Sequence, residues 1–171
     1  MRKLTAADMH RLTPEAFRET AKKPLVVVLD NVRSQHNIGA VFRTADAFLI
    51  EKVVLCGCCA TPPNQEIHKT ALGAELTVEW EYCRHTIDAV KRLQEDGYQV
   101  YAVEQVEQSQ SLPAFHGGGK MAVVLGHEVF GVQQEVVDRC NGAIEIPQYG
   151  TKHSLNVSVA AGIVLYQLTT K

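Results

Sequence analysis

The chain has 171 residues, of which 46% are hydrophobic and 21% charged, a balance that fits one globular domain and excludes disordered or collagen-like designs. Seventeen Lys and Arg against nineteen Asp and Glu give a net charge of −2, which is not the basic profile common among nucleic-acid binders. The apolar stretches 24–29 and 157–166 fall short of the ~20 residues of a membrane span, and no apolar run follows the positive start Met1-Arg2-Lys3. The chain therefore reads as soluble and intracellular, with no secretory signal.

In chain order, residues 1–24 form a short basic segment. Arg2, Lys3, Arg11, Arg18, Lys22 and Lys23 outnumber Asp8, Glu15 and Glu19, a pattern that serves either a phosphate contact or a solvated helix face. Thr13 followed by Pro14 predicts a capped helix over 14–22. The β-branched run Leu25 to Leu29 predicts a strand covered on both faces. A helix from about Ile38 to Phe48 follows, with Asn37 as its cap, and then a strand from Lys52 to Cys56. Thr86 is expected to cap a helix with apolar Ile87, Val90 and Leu93, stopped by Gly97. Further strands are expected over 98–103, 121–125 and 143–146, with a helix over 132–139. Ser154 is the expected cap of a last helix. This alternation predicts an α/β fold with a mainly parallel sheet and helices on both faces.

From Val157 to Tyr166 only Ser158 and Gly162 interrupt the apolar run. A helix without a polar face has to be covered on all sides, which predicts a homodimer interface. Five cysteines without paired metal-ligand spacing read as small buried hydrophobes, with no metal site. Gly117-Gly118-Gly119-Lys120 lacks the first glycine and the Ser or Thr of a phosphate loop and precedes a strand. Only one glycine follows Leu29 within ten residues, which argues against a dinucleotide site.

Polar residues gather at strand ends, where open α/β sheets place ligands. The first group, over 31–46, carries Asn37, Gly39 and Arg43. The second is Gly126-His127-Glu128-Val129-Phe130-Gly131. The third runs from Ile146 and Pro147 through Gly150 to Ser154-Leu155-Asn156-Val157-Ser158. Together these segments resemble the three motifs of the SPOUT superfamily, in particular its SpoU or TrmH-like RNA ribose 2′-O-methyltransferases. The family patterns are N-x-G-x-x-x-R, G-x-E-x-x-G and I-P-x-x-G-x-x-x-S-L-N-V-S. The resemblance covers roughly residues 25–170. His36, His127 and Gln148 depart from the usual family residues.

The resemblance implies a SPOUT methyltransferase domain over 25–171 with a deep C-terminal trefoil knot at about residues 122–158. It also implies S-adenosylmethionine bound against Gly126, Ile146 and Leu155, with Asn156 and Val103 as further contacts. Its implied partners are RNA (tRNA or rRNA) and a second copy of the chain, with no DNA and no membrane, in the cytoplasm. The catalytic set carried over is Arg43, Asn37, Glu128, Ser154 and Asn156. Guanidinium stays charged at any physiological pH, so Arg43 is read as a cation that clamps phosphate and steadies a developing alkoxide. Glu128 is read as orienting Arg43 or Asn37, and Asn37, Ser154 and Asn156 as orienting ligands. The rival readings are a non-catalytic RNA- or nucleotide-binding module of the same fold, and a generic flavodoxin-like nucleotide binder.

Overall fold

Burial explains the central strands. In a computed structural model describing residues 1–170, β1 (Lys23–Asp30) is fully covered from Leu25 onward, which is why its sequence is continuously apolar rather than alternating. It pairs in parallel with β2 (Ile50–Cys56) on one side and β6 (Met121–Leu125) on the other. β3 (Glu79–Cys83) extends the sheet beyond β2, and β4 (Gln99–Val103), β7 (Gly142–Glu145) and the two-residue β5 (Gln110–Ser111) extend it beyond β6. The seven strands lie in the order β3-β2-β1-β6-β4-β7-β5 and all pair in parallel.

Successive side chains alternate between two apolar layers. Leu25, Val27, Leu29, Val53, Leu55, Val123 and Leu125 face one layer with Phe17, Ile38, Phe42, Ile67 and Val164. These come from α1 (Pro14–Glu19), α2 (Gln35–Ala47), α3 (Gln65–Ala71) and α6 (Val157–Thr170). Val26, Val28, Val54, Val100, Ala122 and Val124 face the other layer with Ala89, Val90, Leu93 and Val136, from α4 (Thr86–Glu95) and α5 (Gln134–Arg139). The expected α/β sheet with helices on both faces is what forms.

The differences in detail have physical reasons. β3 and α3 carry no apolar run and are absent from the sequence reading. The EWEYC sequence of β3 is that of an edge strand, and α3 is only two turns long, announced by Asn64 Oδ1 accepting from the N–H groups of Glu66 and Ile67. Three caps move. Ser34, not Asn37, caps α2, its hydroxyl accepting the Asn37 N–H at 3.2 Å. Thr86 is the first residue of α4, and its hydroxyl is drawn to Asp30 at 2.5 Å instead of capping. Asn156, not Ser154, caps α6 through the N–H groups of Ser158 and Val159. The Gly97 stop holds: at φ 87° it lets Tyr98 N–H reach Leu93 O and its own N–H reach Gln94 O, closing α4 with paired C-terminal bonds. Of the expected 14–22 helix only Pro14–Glu19 is helical, because Lys22 Nζ takes the Phe17 and Thr20 carbonyls.

On α6, Val157, Ala161, Val164 and Leu165 are buried in this chain's own core, whereas Val159, Ile163 and Tyr166 stand exposed. The apolar helix therefore has an inner face that is filled and an outer apolar face that is bare. No helix among the described residues is long and apolar enough to cross a membrane.

Candidate active site

The ends of β1, β4, β6 and β7 deliver four loops to one edge of the sheet, and a cleft of about 440 Å³ opens among three of them. Its floor is apolar: Val103, Leu125, Ile144, Ile146, Leu155 and Ala160. Its polar wall includes Glu104, Glu128, Glu145 and Ser154, with main chain from 125–132 and 153–155. Both the size and an apolar lining with a few convergent polar groups suit a nucleoside-sized ligand.

The loop after β6 is held tightly. A Cβ on Gly126 would lie 2.0 Å from the Gly131 carbonyl carbon and 2.2 Å from Val132 N, so only glycine lets the two stretches of backbone pass. His127 and Gly131 exchange both N–H···O bonds, at 3.0 and 2.9 Å, and His127 Nδ1 accepts the N–H groups of Val129 and Phe130. Glu104 Oε2 accepts the Val132 N–H at 3.0 Å. Behind the loop, Gln133 N–H and Nε2 both donate to the carboxylate of Asp30, at 2.8 and 2.7 Å.

Glu128 leaves this loop to reach the start of α2. Its oxygens accept from Arg33 N–H at 3.1 Å, Ser34 N–H at 2.9 Å and Asn37 Nδ2 at 3.2 Å. Partial burial pushes its pKa upward. The backbone N–H groups of Ser34 and Arg33, then its own N–H and the Asn37 amide, outweigh that, so the net direction is down. The carboxylate is a fixed acceptor, poorly suited to take up a proton near neutrality. Because Asn37 donates to Glu128, its Oδ1 is free to accept Asn156 Nδ2, at 3.2 Å. Asn156 Oδ1 then receives the first N–H groups of α6 and the Ser158 hydroxyl at 2.6 Å. Glu128, Asn37 and Asn156 thus tie three sequence motifs into one line of hydrogen bonds beside the cleft.

Of the residues singled out in the sequence, Val103, Gly126, Glu128, Ile146, Ser154 and Leu155 line the cleft, and Asn37 and Asn156 join it through Glu128. Arg43 does not come with them. It is exposed in a separate groove with Ala40, Thr44, Phe48, Lys69 and Gly162, without an ion pair or hydrogen bond among the described residues. Two participants escaped sequence reading. Asp30 is a fully buried carboxylate that also accepts from Thr86 Oγ1 and Asn31 Nδ2. Its signal was a lone acid ending an otherwise apolar strand. Glu104 closes β4 without a local motif to mark it.

The sequence model of the SpoU rRNA Methylase family matches residues 24–166. The 23S rRNA (guanosine-2′-O-)-methyltransferase of Vibrio vulnificus is 33% identical over 84% of this chain, and the chain spans 58% of that relative. The tRNA (guanosine(18)-2′-O)-methyltransferase of Thermus thermophilus is 32% identical over 98% of this chain and is itself covered to 84%. Among solved structures, the AdoMet-bound rRNA methyltransferase from Sinorhizobium meliloti superposes with a TM-score of 0.80 at 26% identity, over 92% of this chain and 60% of that one.

Proposed function

The chain belongs to the SpoU rRNA Methylase family, and on that premise we propose that it transfers a methyl group from S-adenosylmethionine to a ribose 2′-hydroxyl of tRNA or rRNA. The observation that carries the reading is the Glu128–Asn37–Asn156 line at the edge of the 440 Å³ cleft. It gives each of three motif residues a defined donor or acceptor role.

The cleft suits the cofactor by the chemistry of its lining. Val103, Ile146 and Leu155 offer apolar contact for an adenine ring, Gly126 main chain at close approach, and Glu104, Glu128 and Glu145 negative charge for a sulfonium and its ammonium group. Residues 25–171 are proposed as the catalytic domain, with 1–24 as a basic segment docked on it through Phe17. When bound, the cofactor supplies an activated methyl group for in-line displacement. The chain's residues supply alignment. Glu128 fixes the rotamer and amide orientation of Asn37, Asn37 fixes Asn156, and Ser154 faces the cleft as a further donor or acceptor. Arg43 is proposed as the permanent cation that holds phosphate and steadies alkoxide charge.

The separate position of Arg43 fits this role if the protein works as a homodimer. The groove that holds Arg43 includes Gly162 of α6, and the same helix exposes Val159, Ile163 and Tyr166. We propose that a second copy packs there and that Arg43 of one protomer serves the cleft of the other. The trefoil knot is proposed at about residues 122–158. Its support is the strand order, with β6 between β1 and β4 and the following β7 beyond β4, and the close backbone pass at Gly126. A cytoplasmic location is proposed together with these RNA substrates.

Labelled methyl transfer from S-adenosylmethionine to bulk tRNA and to ribosomal RNA tests the reading, with nuclease mapping for 2′-O-methylribose. Product at a ribose 2′-oxygen is expected. A protein that binds S-adenosylhomocysteine yet labels no RNA would return the chain to the class of non-catalytic binding modules.

A further inference from the structure

The loop that carries Glu128 ends in a feature the proposed chemistry does not use. Between His127 and Gly131 the chain makes a short closed turn, fastened by two backbone hydrogen bonds and by His127 Nδ1 accepting from Val129 and Phe130. The backbone is therefore ordered before anything binds. At its tip the side chains of Val129 and Phe130 are nevertheless 77% and 83% exposed. The Phe130 ring lies 4.9 Å from the His127 ring at 31°, so the imidazole lies against part of one face and the other face is open. Flexible loops often show an apolar residue to water, but a pinned turn that presents two of them at the rim of a cleft has no folding reason to do so.

The neighbouring charge indicates what would cover them. Glu128, in the same turn, accepts the Arg33 N–H, so the tip and Arg33 are held as neighbours. The Arg33 side chain is exposed and has no ion pair or hydrogen bond among the described residues. An exposed aromatic face beside an unpaired guanidinium is the pairing that single-stranded nucleic acid takes, with a base on the ring and a phosphate on the cation. A second apolar protein surface would leave the arginine unmatched.

Resting on the RNA methyltransferase reading, we propose that Phe130 stacks against an unpaired base of the RNA and that Arg33 holds a phosphate next to it. The 127–131 turn is thereby the element that grips the substrate strand at the cleft. Val129 packs beside the same base. This assigns RNA affinity to a different part of the loop from Glu128, which serves alignment.

The test measures the binding of undermethylated bulk tRNA and ribosomal RNA to the full chain, at several salt concentrations, alongside methyl transfer. Phe130→Ala is expected to weaken RNA binding about 5- to 100-fold, from the usual range for one base on one ring. Phe130→Trp should stay near wild type, and Phe130→Leu should behave like the alanine variant, since it is apolar but cannot stack. Arg33→Ala should weaken binding and lower the salt slope by about one phosphate. Sedimentation should stay unchanged in all four, and S-adenosylhomocysteine affinity should stay unchanged in Arg33→Ala. Wild-type RNA affinity in Phe130→Ala or Phe130→Leu overturns the stacking assignment. An unchanged salt slope in Arg33→Ala overturns the phosphate contact. Loss of RNA binding together with a shift in sedimentation would assign the tip to a second copy instead. A wild-type chain that labels RNA while Phe130→Ala binds it normally defeats this inference alone. A wild-type chain that neither labels nor binds RNA defeats the methyltransferase reading and this inference with it.

Discussion

Two regions of α2 behave in opposite ways. At its start, Asn37 is locked between Glu128 and Asn156, and every polar atom there that the motif supplies has a partner inside the chain. Two turns later the Arg43 side chain has none among the described residues, and the groove around it takes in Gly162 of α6, the helix that exposes Val159, Ile163 and Tyr166. The first region is finished within one chain, because a network with all its members paired holds side chains in one geometry. On the proposed homodimer reading, the second is completed by a partner copy. On that reading preorganisation and assembly are separated along one helix, and substitutions can address them one at a time.

The largest contrast lies on α6 itself. Val164 is fully buried in the core, and Ile163 is exposed. Val164→Asp leaves an unpaired charge in the interior and should destabilise the fold by about 3–5 kcal/mol. Ile163→Asp should leave the thermal midpoint nearly unchanged and convert the protein from dimer to monomer at micromolar concentration. Sedimentation together with thermal melting reads both. If Ile163→Asp remains the same species as the wild type, and that species is a monomer, the exposed face has another purpose and the position of Arg43 needs another account.

Next in size is Arg43. Arg43→Ala is expected to lower the single-turnover rate about 10²- to 10³-fold, the usual loss for one transition-state donor. Stability should change by less than about 0.5 kcal/mol, as for an exposed side chain without partners. Arg43→Lys keeps the charge without the planar fork and should retain part of the rate. On the homodimer reading, mixing Arg43→Ala with Asn156→Ala and allowing subunits to exchange should recover activity, because every heterodimer contains one site with both residues intact. No recovery would place Arg43 in service of its own chain's cleft.

The sheet was legible because burial on both faces writes itself into a strand as an unbroken apolar run. Leu25 to Leu29 and Met121 to Leu125 are the cases in point. β3 was not, since an edge strand with Glu79, Glu81 and Tyr82 has no need of such a run. The motif residues were legible as a set, but their wiring was not. Thr86 looks like a cap, and its hydroxyl serves Asp30, which is distant in sequence and adjacent only in the folded sheet. Ser34, Asn37, Ser154 and Asn156 are all competent caps by residue type, and the choice among them depends on where Glu128 arrives from the far end of the chain. The separation of Arg43 from the cleft was invisible for a related reason. The N-x-G-x-x-x-R spacing fixes rotation around α2, and says nothing of which neighbouring surface that rotation faces.

The smallest expected effect probes the finished region from the acid side. Glu128→Gln keeps one acceptor oxygen for Ser34 and Asn37 but turns an NH₂ group toward the Arg33 N–H, so one donor loses its partner. For a partly solvated site this should cost about 1 kcal/mol. The pH dependence identifies the cause. The pKa of Glu128 is lower in the folded chain than in the unfolded one, so its contribution is fully present above the ordinary glutamate range near ~4.3. It is lost as pH falls through the lower folded value. Asp8 and Glu66 are also held low, by Arg2 and Thr5 in one case and chiefly by Lys69 in the other. Both are the same in wild type and variant, so they cancel in the difference. Urea unfolding of the two proteins at pH 6, 4 and 3 should therefore show a stability gap that is widest at pH 6 and closes toward pH 3. A gap that stays constant would mean that the carboxylate charge contributes nothing beyond its shape. The line from Glu128 through Asn37 to Asn156 would then be held by packing alone.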